Sequence, residues 1–257
     1  MTSRFMKNKK VMVFGVFDLL HPGHIYFLKK ARELGDYLLV SVPCDANVLK
    51  YKKVLPIIPE KERVKMIRAS GLADKVVIAY DQFPWTTIKK EKPSIVVLGH
   101  DQNPYLAKSD KKLQKLLKIK VVRLGTFRRS KHKTALLKIF SGKVYKHLGR
   151  GKTLGFPTAN IKVLGSVPEG IFAAKTKVGG KVYKALVFVG AAKTFSENKR
   201  QAEVYLLDFF GDLYSKVIEV ELLRKLRNNL KFKSTKVLVE QMKDDEKKAR
   251  KYFKLHH

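Results

Sequence analysis

The sequence predicts an α/β chain in two halves: a parallel sheet wrapped by helices, then an antiparallel β-barrel with a C-terminal helix. Three observations predict it. Over the first half, short β-branched apolar runs alternate with amphipathic runs, the pattern of strand–helix–strand units. After about Leu137 glycines cluster (Gly142, Gly149, Gly151, Gly155, Gly165, Gly170, Gly179, Gly180, Gly190), and strand-like runs follow without helices between them. The chain, at 257 residues, is long enough for two modest domains with separate cores. We place them at residues 1–135 and 136–257. Only the basic stretch Phe127 to Lys138 lies between, with no Gly/Ser linker, so the domains are expected to abut.

In the first half, Lys10 to Phe17, Tyr37 to Val42, Lys75 to Ala79, Ser94 to Leu98 and Ile119 to Leu124 read as strands. Pro22 to Leu34, Pro59 to Ser70, Pro84 to Glu91 and Ser109 to Leu117 read as helices, with prolines at three starts and Ser109 as a cap. Ligands of such sheets bind beyond the carboxyl ends of strands, where the turn from Phe17 to His24 falls. In the second half, strands are expected over Ile171 to Val178, Lys181 to Val189, Ala202 to Phe209 and Tyr214 to Leu222, with Gly179-Gly180 as a hairpin turn. Lys236 to Phe253 carries apolar residues near helical spacing and closes the chain.

A hydrophobic content of 45% fits a globular protein rather than a disordered one. The single Cys44 cannot form an internal disulfide, which suits a reducing cytoplasm. No long apolar span and no signal-peptide core are present, so the expectation is an untargeted protein with no membrane partner. The formal net charge is +33, and between Lys108 and Lys152 the only acid is Asp110. The basic residues are spread through both halves and form no recognised nucleic-acid motif. We read them as a solvated surface that attracts nucleotides, with no specific nucleic-acid partner.

The most informative stretch is Gly15-Val16-Phe17-Asp18-Leu19-Leu20-His21-Pro22-Gly23-His24. Pro22 suits the first turn of a helix, where its missing N–H is no loss. A helix starting there puts His21 and His24 on one face, at the end that favours anions. Such a site can hold a triphosphate and stabilise charge on a phosphorus under attack. Two histidines at a helix start are also compatible with a purely structural role; the whole string is more specific.

That string resembles the signature of the nucleotidyltransferase superfamily that includes glycerol-3-phosphate cytidylyltransferase and FAD synthetase, a Rossmann-like fold. Leu34-Gly35-Asp36-Tyr37-Leu38-Leu39-Val40 resembles the family's second strand, Pro59-Glu60-Lys61-Glu62-Arg63 its arginine helix start, and Gly99-His100-Asp101 its later nucleotide-binding turn. The resemblance implies His21 and His24 as catalytic residues. It implies nucleotide contacts from Phe14, Gly15, Phe17, Asp18, Gly23, Arg63, Gly99, Asp101 and Thr134, and from one of Lys50, Lys52 and Lys53, of which we take Lys53.

A second constellation, His147-Leu148-Gly149-Arg150-Gly151-Lys152-Thr153-Leu154-Gly155-Phe156-Pro157-Thr158-Ala159-Asn160, has glycines that let backbone N–H groups approach phosphate. Thr158 and Asn160 alternate along an extended segment, so both can face one ligand. Their neutral oxygens suit Mg²⁺ when nucleotide phosphates and water complete its octahedron. The string resembles the riboflavin kinase signature. Ala202-Glu203-Val204-Tyr205-Leu206-Leu207-Asp208-Phe209 with Gly211-Asp212-Leu213-Tyr214 resembles that family's strand pair. Leu226-Arg227, Lys231-Phe232 and Gln241 with Asp245 resemble its helical tail. This implies nucleotide contacts at Gly149, Gly151, Lys152 and Gly155, metal contacts at Thr158 and Asn160, and flavin contacts at Asp208 and Arg227. Glu203 would be the base that takes the proton from the riboflavin 5′-hydroxyl.

Together the halves resemble a bifunctional riboflavin kinase and FAD synthetase. Riboflavin, FMN and ATP would be its partners, Mg²⁺ its metal, and a monomer or small homo-oligomer its form. Departures from the pattern are Leu136 where a lysine is expected near Thr134, His100 at a turn position often acidic or aromatic, and Ala192-Lys193-Thr194-Phe195 in a flavin-facing loop. Two alternatives remain. The first half could be a CTP-dependent polyol-phosphate cytidylyltransferase, with the same fold and histidines. The chain could also be a basic RNA-binding protein on a retired scaffold, against which the retained His21, His24, Thr158, Asn160 and Glu203 argue. Fusion to a flavin-phosphorylating half favours FMN as the first half's substrate.

Overall fold

A computed structural model of the chain describes residues 9–80, 84–99, 102, 118–125, 138–146, 150–163, 167–191 and 200–256. They belong to two compact units, Met1–Thr134 and Ala135–His257.

The first unit is a five-stranded parallel sheet of β1 (Lys10–Phe14), β2 (Tyr37–Pro43), β3 (Lys75–Ala79), β4 (Ile95–Leu98) and β5 (Lys120–Arg123) in the order β3-β2-β1-β4-β5. Helices α1 (Pro22–Arg32), α2 (Asp45–Lys52), α3 (Glu60–Ala69) and α4 (Pro84–Glu91) join the strands. Alternation along β1 sends Val11 and Val13 to one face, packed with Leu28 and Ala31 of α1 and Val64 and Ile67 of α3. Met12 points to the other face, packed with Ile88 of α4 and with Val96 and Leu98. The chain runs outward from β1 through β2 to β3, then crosses back to β4 on the other side of β1. That reversal makes the carboxyl ends of β1 and β4 the topological switch point, where a crevice for ligand opens.

The strands fall where the sequence predicts them, with β1 stopping at Phe14 rather than Phe17. The reason is local: Phe17 and Leu19 adopt left-handed backbone (φ 50° and 52°) that no strand can contain. Helix α2 was not anticipated. It buries only Asn47 and Val48, so it shows no apolar stripe. The expected helix Ser109 to Leu117 lies outside the described residues.

The second unit is a six-stranded antiparallel sheet of β6 (Ile139–Lys143), β7 (Ala159–Lys162), β8 (Gly170–Val178), β9 (Lys181–Gly190), β10 (Gln201–Leu206) and β11 (Val217–Arg227) in the order β6-β11-β8-β9-β10-β7. A bridge between Tyr145 and Asn160, with the Tyr145 amide donating to the Asn160 carbonyl at 3.0 Å, brings the ends together into a nearly closed barrel. The short α5 (Arg150–Thr153) precedes β7, and α6 (Thr235–His256) ends the unit. Gly179 and Gly180 turn the β8–β9 hairpin with φ of 53° and 85°. Strand β10 stops before the expected Phe209 because Asp208 is left-handed (φ 58°). Strand β11 runs past the expected Leu222 to Arg227, and register shifts at Leu222/Arg224 and Lys225/Arg227 bend it around the barrel. Phe172, Val187, Ala202 and Val204 are fully buried in one layer. The alternate residues Ile171, Ala173 and Leu186 pack instead with Ala249 and Phe253 of α6.

Candidate active sites

In the first unit, the turn after β1 is built by its own buried residues. Phe17 and Leu19 are both nearly buried, which anchors two left-handed residues that would otherwise cost free energy. Gly15 is required because a Cβ there would stand 2.7 Å from the Phe17 ring. His21 is extended (φ −125°) and caps α1: its Nδ1 accepts from the amides of Gly23 at 3.1 Å and His24 at 3.3 Å, with Pro22 at the first helical position. A neutral imidazole that accepts at Nδ1 carries its proton at Nε2, so His21 is fixed as an Nε2–H donor. The His21 and His24 rings stack with centroids 3.7 Å apart, and the Phe17 ring meets His24 edge-on at 5.2 Å. The amides of Gly23 and His24 are thus engaged by His21, and the imidazoles carry the site's donor capacity.

Asp18 and Arg63, implied as nucleotide contacts, are also engaged within the protein. The Asp18 carboxylate accepts from the amides of Ile57 and Ile58, each at 2.9 Å. Arg63 is fully buried; its guanidinium donates to the carbonyls of Ile58 (3.0 Å), Val16 (2.7 Å) and Pro43 (2.9 Å) and to Asp45 Oδ1 at 2.7 Å. Both residues tie the Val16–Asp18 turn to the segment before α3. Asp45 and Glu60 also exchange contacts with each other's amides. Lys53 ends α2 in the left-handed region and is exposed, as are Lys50 and Lys52.

At the switch point Gln102, which sequence reasoning missed, links the two strand ends. Its amide donates to the Phe14 carbonyl, and its Oε1 accepts from the Gly99 amide at 2.9 Å. Arg123 holds the same turn through the carbonyls of Gly99 (2.8 Å) and Gln102 (2.9 Å). Nothing local in the sequence signals this, since Gln102 lies 88 residues from Phe14. Asp101, Thr134 and Gly149 lie outside the described residues.

In the second unit, a cavity of about 540 Å³ opens between the α6-facing side of the sheet and α6. Gly151, Lys152, Thr158, Asn160, Glu203 and Arg227 all line it, with apolar walls that include Ile171, Leu186, Phe188 and Met242. Cross-strand register explains the convergence: Glu203 stands opposite Asn160 on β7 and Phe188 on β9, and Tyr205 stands opposite Leu186. Burial, with Glu246 nearby, pushes the Tyr205 phenol above its ordinary range, so it remains a protonated donor at neutral pH.

The glycine-rich loop doubles back tightly, with the Phe156 amide donating to the Gly151 carbonyl at 2.7 Å and Gly155 left-handed at φ 84°. A Cβ on Gly151 would lie 2.7 Å from Thr158 Oγ1 and against the Phe156 carbonyl, so only glycine lets the loop close on Thr158. Asn160 is 7% exposed, and its Oδ1 is buried without a hydrogen-bond partner among the described residues. A buried acceptor of that kind is costly unless something binds it. The hydroxyl of Thr158 and this amide oxygen therefore fit a hard cation such as Mg²⁺, most of whose ligands would come from phosphate and water.

The two flavin candidates are placed differently. Arg227 lines the cavity, but its guanidinium is held by Asp245 (Nε to Oδ1 2.8 Å, Nη2 to Oδ2 2.6 Å), which Gln241 also contacts at 3.0 Å. Asp208 is not among the lining residues; it forms a fork with Arg250 of α6 at 2.7 and 2.9 Å. Beside the expected base lies a chain that sequence reasoning missed. The Tyr145 hydroxyl donates to Gln201 Oε1 at 2.7 Å, and Gln201 Nε2 donates to Glu203 Oε1 at 3.1 Å.

Comparison with known proteins finds two families in succession along the chain, their matches overlapping over 137–142. A family described as Cytidylyltransferase-like matches residues 12–142, and one described as Riboflavin kinase matches residues 137–253. The chain is 30% identical to "Trifunctional protein RibF/MnmA" of Mycoplasmoides gallisepticum over 98% of its own length, and spans 42% of that protein. It is 41% identical to "FAD synthase" of Methanosarcina acetivorans and 44% identical to "FAD synthase" of Pyrococcus abyssi. Each of those matches covers 45% of this chain, and 76% and 79% of the relative.

Proposed function

The chain belongs to the cytidylyltransferase-like family and carries a riboflavin kinase domain behind that unit, and on this premise we propose that it makes FAD from riboflavin in two ATP-dependent steps. The observation that carries the reading is the placement of Glu203 directly opposite Asn160 at the wall of one cavity, with the glycine-rich loop at its edge.

In the second unit, the flavin ring lies against Ile171, Leu186 and Phe188, and the ribityl 5′-hydroxyl reaches Glu203. Glu203 takes the hydroxyl proton as the new O–P bond to the γ-phosphorus forms and the bond to the β-phosphate oxygen breaks, giving FMN and ADP. Backbone amides at the head of the loop, at Gly151 and Lys152, hold the ATP phosphates, those of Leu154 and Gly155 being engaged by carbonyls within the loop, and Thr158 and Asn160 would hold Mg²⁺. When bound, Mg²⁺ neutralises phosphate charge. Arg227, fixed by Asp245, closes the far side of the cavity and positions α6 rather than moving a proton.

In the first unit, an FMN phosphate oxygen attacks the α-phosphorus of ATP, and pyrophosphate leaves. A phosphate nucleophile needs no general base, so the task is to stabilise charge on the crowded phosphorus. His21, locked as an Nε2–H donor, and its stacked neighbour His24 do this at the mouth of the β1–β4 crevice. Phe14, Gly15, Gly23, Lys53 and Gly99 frame the nucleotide, while Asp18 and Arg63 hold the turn in shape. We place the enzyme in a reducing cytoplasm, as a monomer or small homo-oligomer.

The test is to incubate the protein with riboflavin, Mg²⁺ and either ATP or CTP and separate the flavins. FAD formed from riboflavin and ATP supports both assignments. FMN that accumulates without FAD leaves the kinase and removes FMN adenylylation from the first unit, turning attention to CTP and polyol phosphates.

A further inference from the structure

Resting on the reading of Glu203 as the base, we propose that Tyr145 and Gln201 are positioning residues for the kinase step, forming a polarised hydrogen-bond chain that fixes the Glu203 carboxylate. Gln201 is 4% exposed, so its amide must find partners within the protein. It stands two residues from Glu203 on β10, so both side chains project from the same side of the strand. The chain can run only one way. An ionised carboxylate accepts and cannot donate, so Gln201 must turn its NH₂ toward Glu203. Its carbonyl oxygen is then left facing Tyr145, whose hydroxyl must donate. Both links lie within hydrogen-bond range, 2.7 Å from Tyr145 Oη to Gln201 Oε1 and 3.1 Å from Gln201 Nε2 to Glu203 Oε1.

Tyr145 is held by the fold for this purpose. Its backbone makes the bridge to Asn160 that closes the barrel, and Asn160 is the residue opposite Glu203. One closure point therefore sets the base, its orienting amide and the proposed metal ligand together. A carboxylate with a free χ2 and χ3 samples many orientations, and only some meet the 5′-hydroxyl. Holding one oxygen on Gln201 Nε2 aims the other, so the effect belongs in turnover rather than in flavin binding.

The experiment is a steady-state cycle on the full chain with riboflavin and ATP, using Tyr145→Phe, Gln201→Leu and the double variant. Tyr145→Phe deletes one oxygen and keeps the ring, so folding is not at stake; thermal unfolding checks this for Gln201→Leu. Tyr145→Phe is expected to lower kcat of FMN formation by roughly tenfold and Gln201→Leu by roughly thirtyfold, with riboflavin KM within about twofold of the parent. The double variant should match Gln201→Leu alone, because Tyr145 acts through Gln201. Losses that multiply, or that appear in KM, overturn the chain. Glu203→Gln is run beside them. If it keeps the parent kcat, the base assignment fails, and the Tyr145–Gln201 cycle still reports separately on whether those two residues act as a pair.

Discussion

Replacing Arg63 by methionine tests how the proposed adenylyl-transfer site is held. The guanidinium is fully buried and makes four hydrogen bonds, three to the carbonyls of Val16, Pro43 and Ile58 and one to Asp45. Methionine keeps much of the volume and removes every donor. Each orphaned buried acceptor costs about 1–3 kcal/mol, and breaking a buried ion pair by removing one partner costs about 3–5 kcal/mol. These overlap, and Asp45 is partly exposed, so about 4 kcal/mol is a fair total. For a unit of this size that lowers Tm by roughly 12–20 °C. Scanning calorimetry should show the loss in one transition, while riboflavin phosphorylation, carried by the other unit, survives. Adenylyl transfer, assayed below the lowered Tm, should fall by about a hundredfold or more, because Val16 no longer anchors the left-handed turn at Phe17 and Leu19. An unchanged Tm with a raised KM for ATP would refute the reasoning and make Arg63 a nucleotide contact.

His24→Ala should abolish adenylyl transfer and leave FMN formation intact; equal loss of both activities would contradict two independent sites. Glu203→Gln should stop FMN formation while supplied FMN is still converted to FAD, which flavin chromatography reads directly. Asn160→Leu should raise the Mg²⁺ concentration needed for half-maximal kinase turnover, and parental metal dependence would place the ion elsewhere. Hydrogen bonding from Arg250 holds the Asp208 carboxyl below the usual carboxylate range. Its folded-state value is depressed, so its contribution is present above the ordinary range and lost as pH falls through the lowered value. Asp208→Asn should therefore be less stable than the parent at neutral pH, and the two should converge in acid; because the pair is exposed, high salt should shrink the gap.

The parts of the site legible in the sequence are those whose physics is local. His21, Pro22 and His24 sit within one helical turn, and capping by His21 reaches only two and three residues along. The glycine at 151 is likewise required by a loop that closes on itself within a few residues. Helix α2 escaped notice because it has almost no buried face, and β6 because five residues are too few for a pattern to register; β7 reads in the sequence only as an extended segment around Thr158 and Asn160. Asp208 and Arg227 carry implied flavin roles; that Arg250 and Asp245 hold them was not legible locally, because both partners come from a distant helix.

By itself, then, the sequence determined most of the strands and helices, the change from parallel to antiparallel texture, and the two short strings to which the chemistry is assigned. Those follow from periodicity and from contacts a few residues long. Tertiary structure decided which partners the polar side chains find. Arg63 reaches Val16 across 47 residues, Gln102 reaches Phe14 across 88, and Tyr145 reaches Gln201 across 56. A buried donor or acceptor must be paired wherever the chain happens to bring a partner, and which partner arrives is set by strand order and register rather than by neighbours in the sequence.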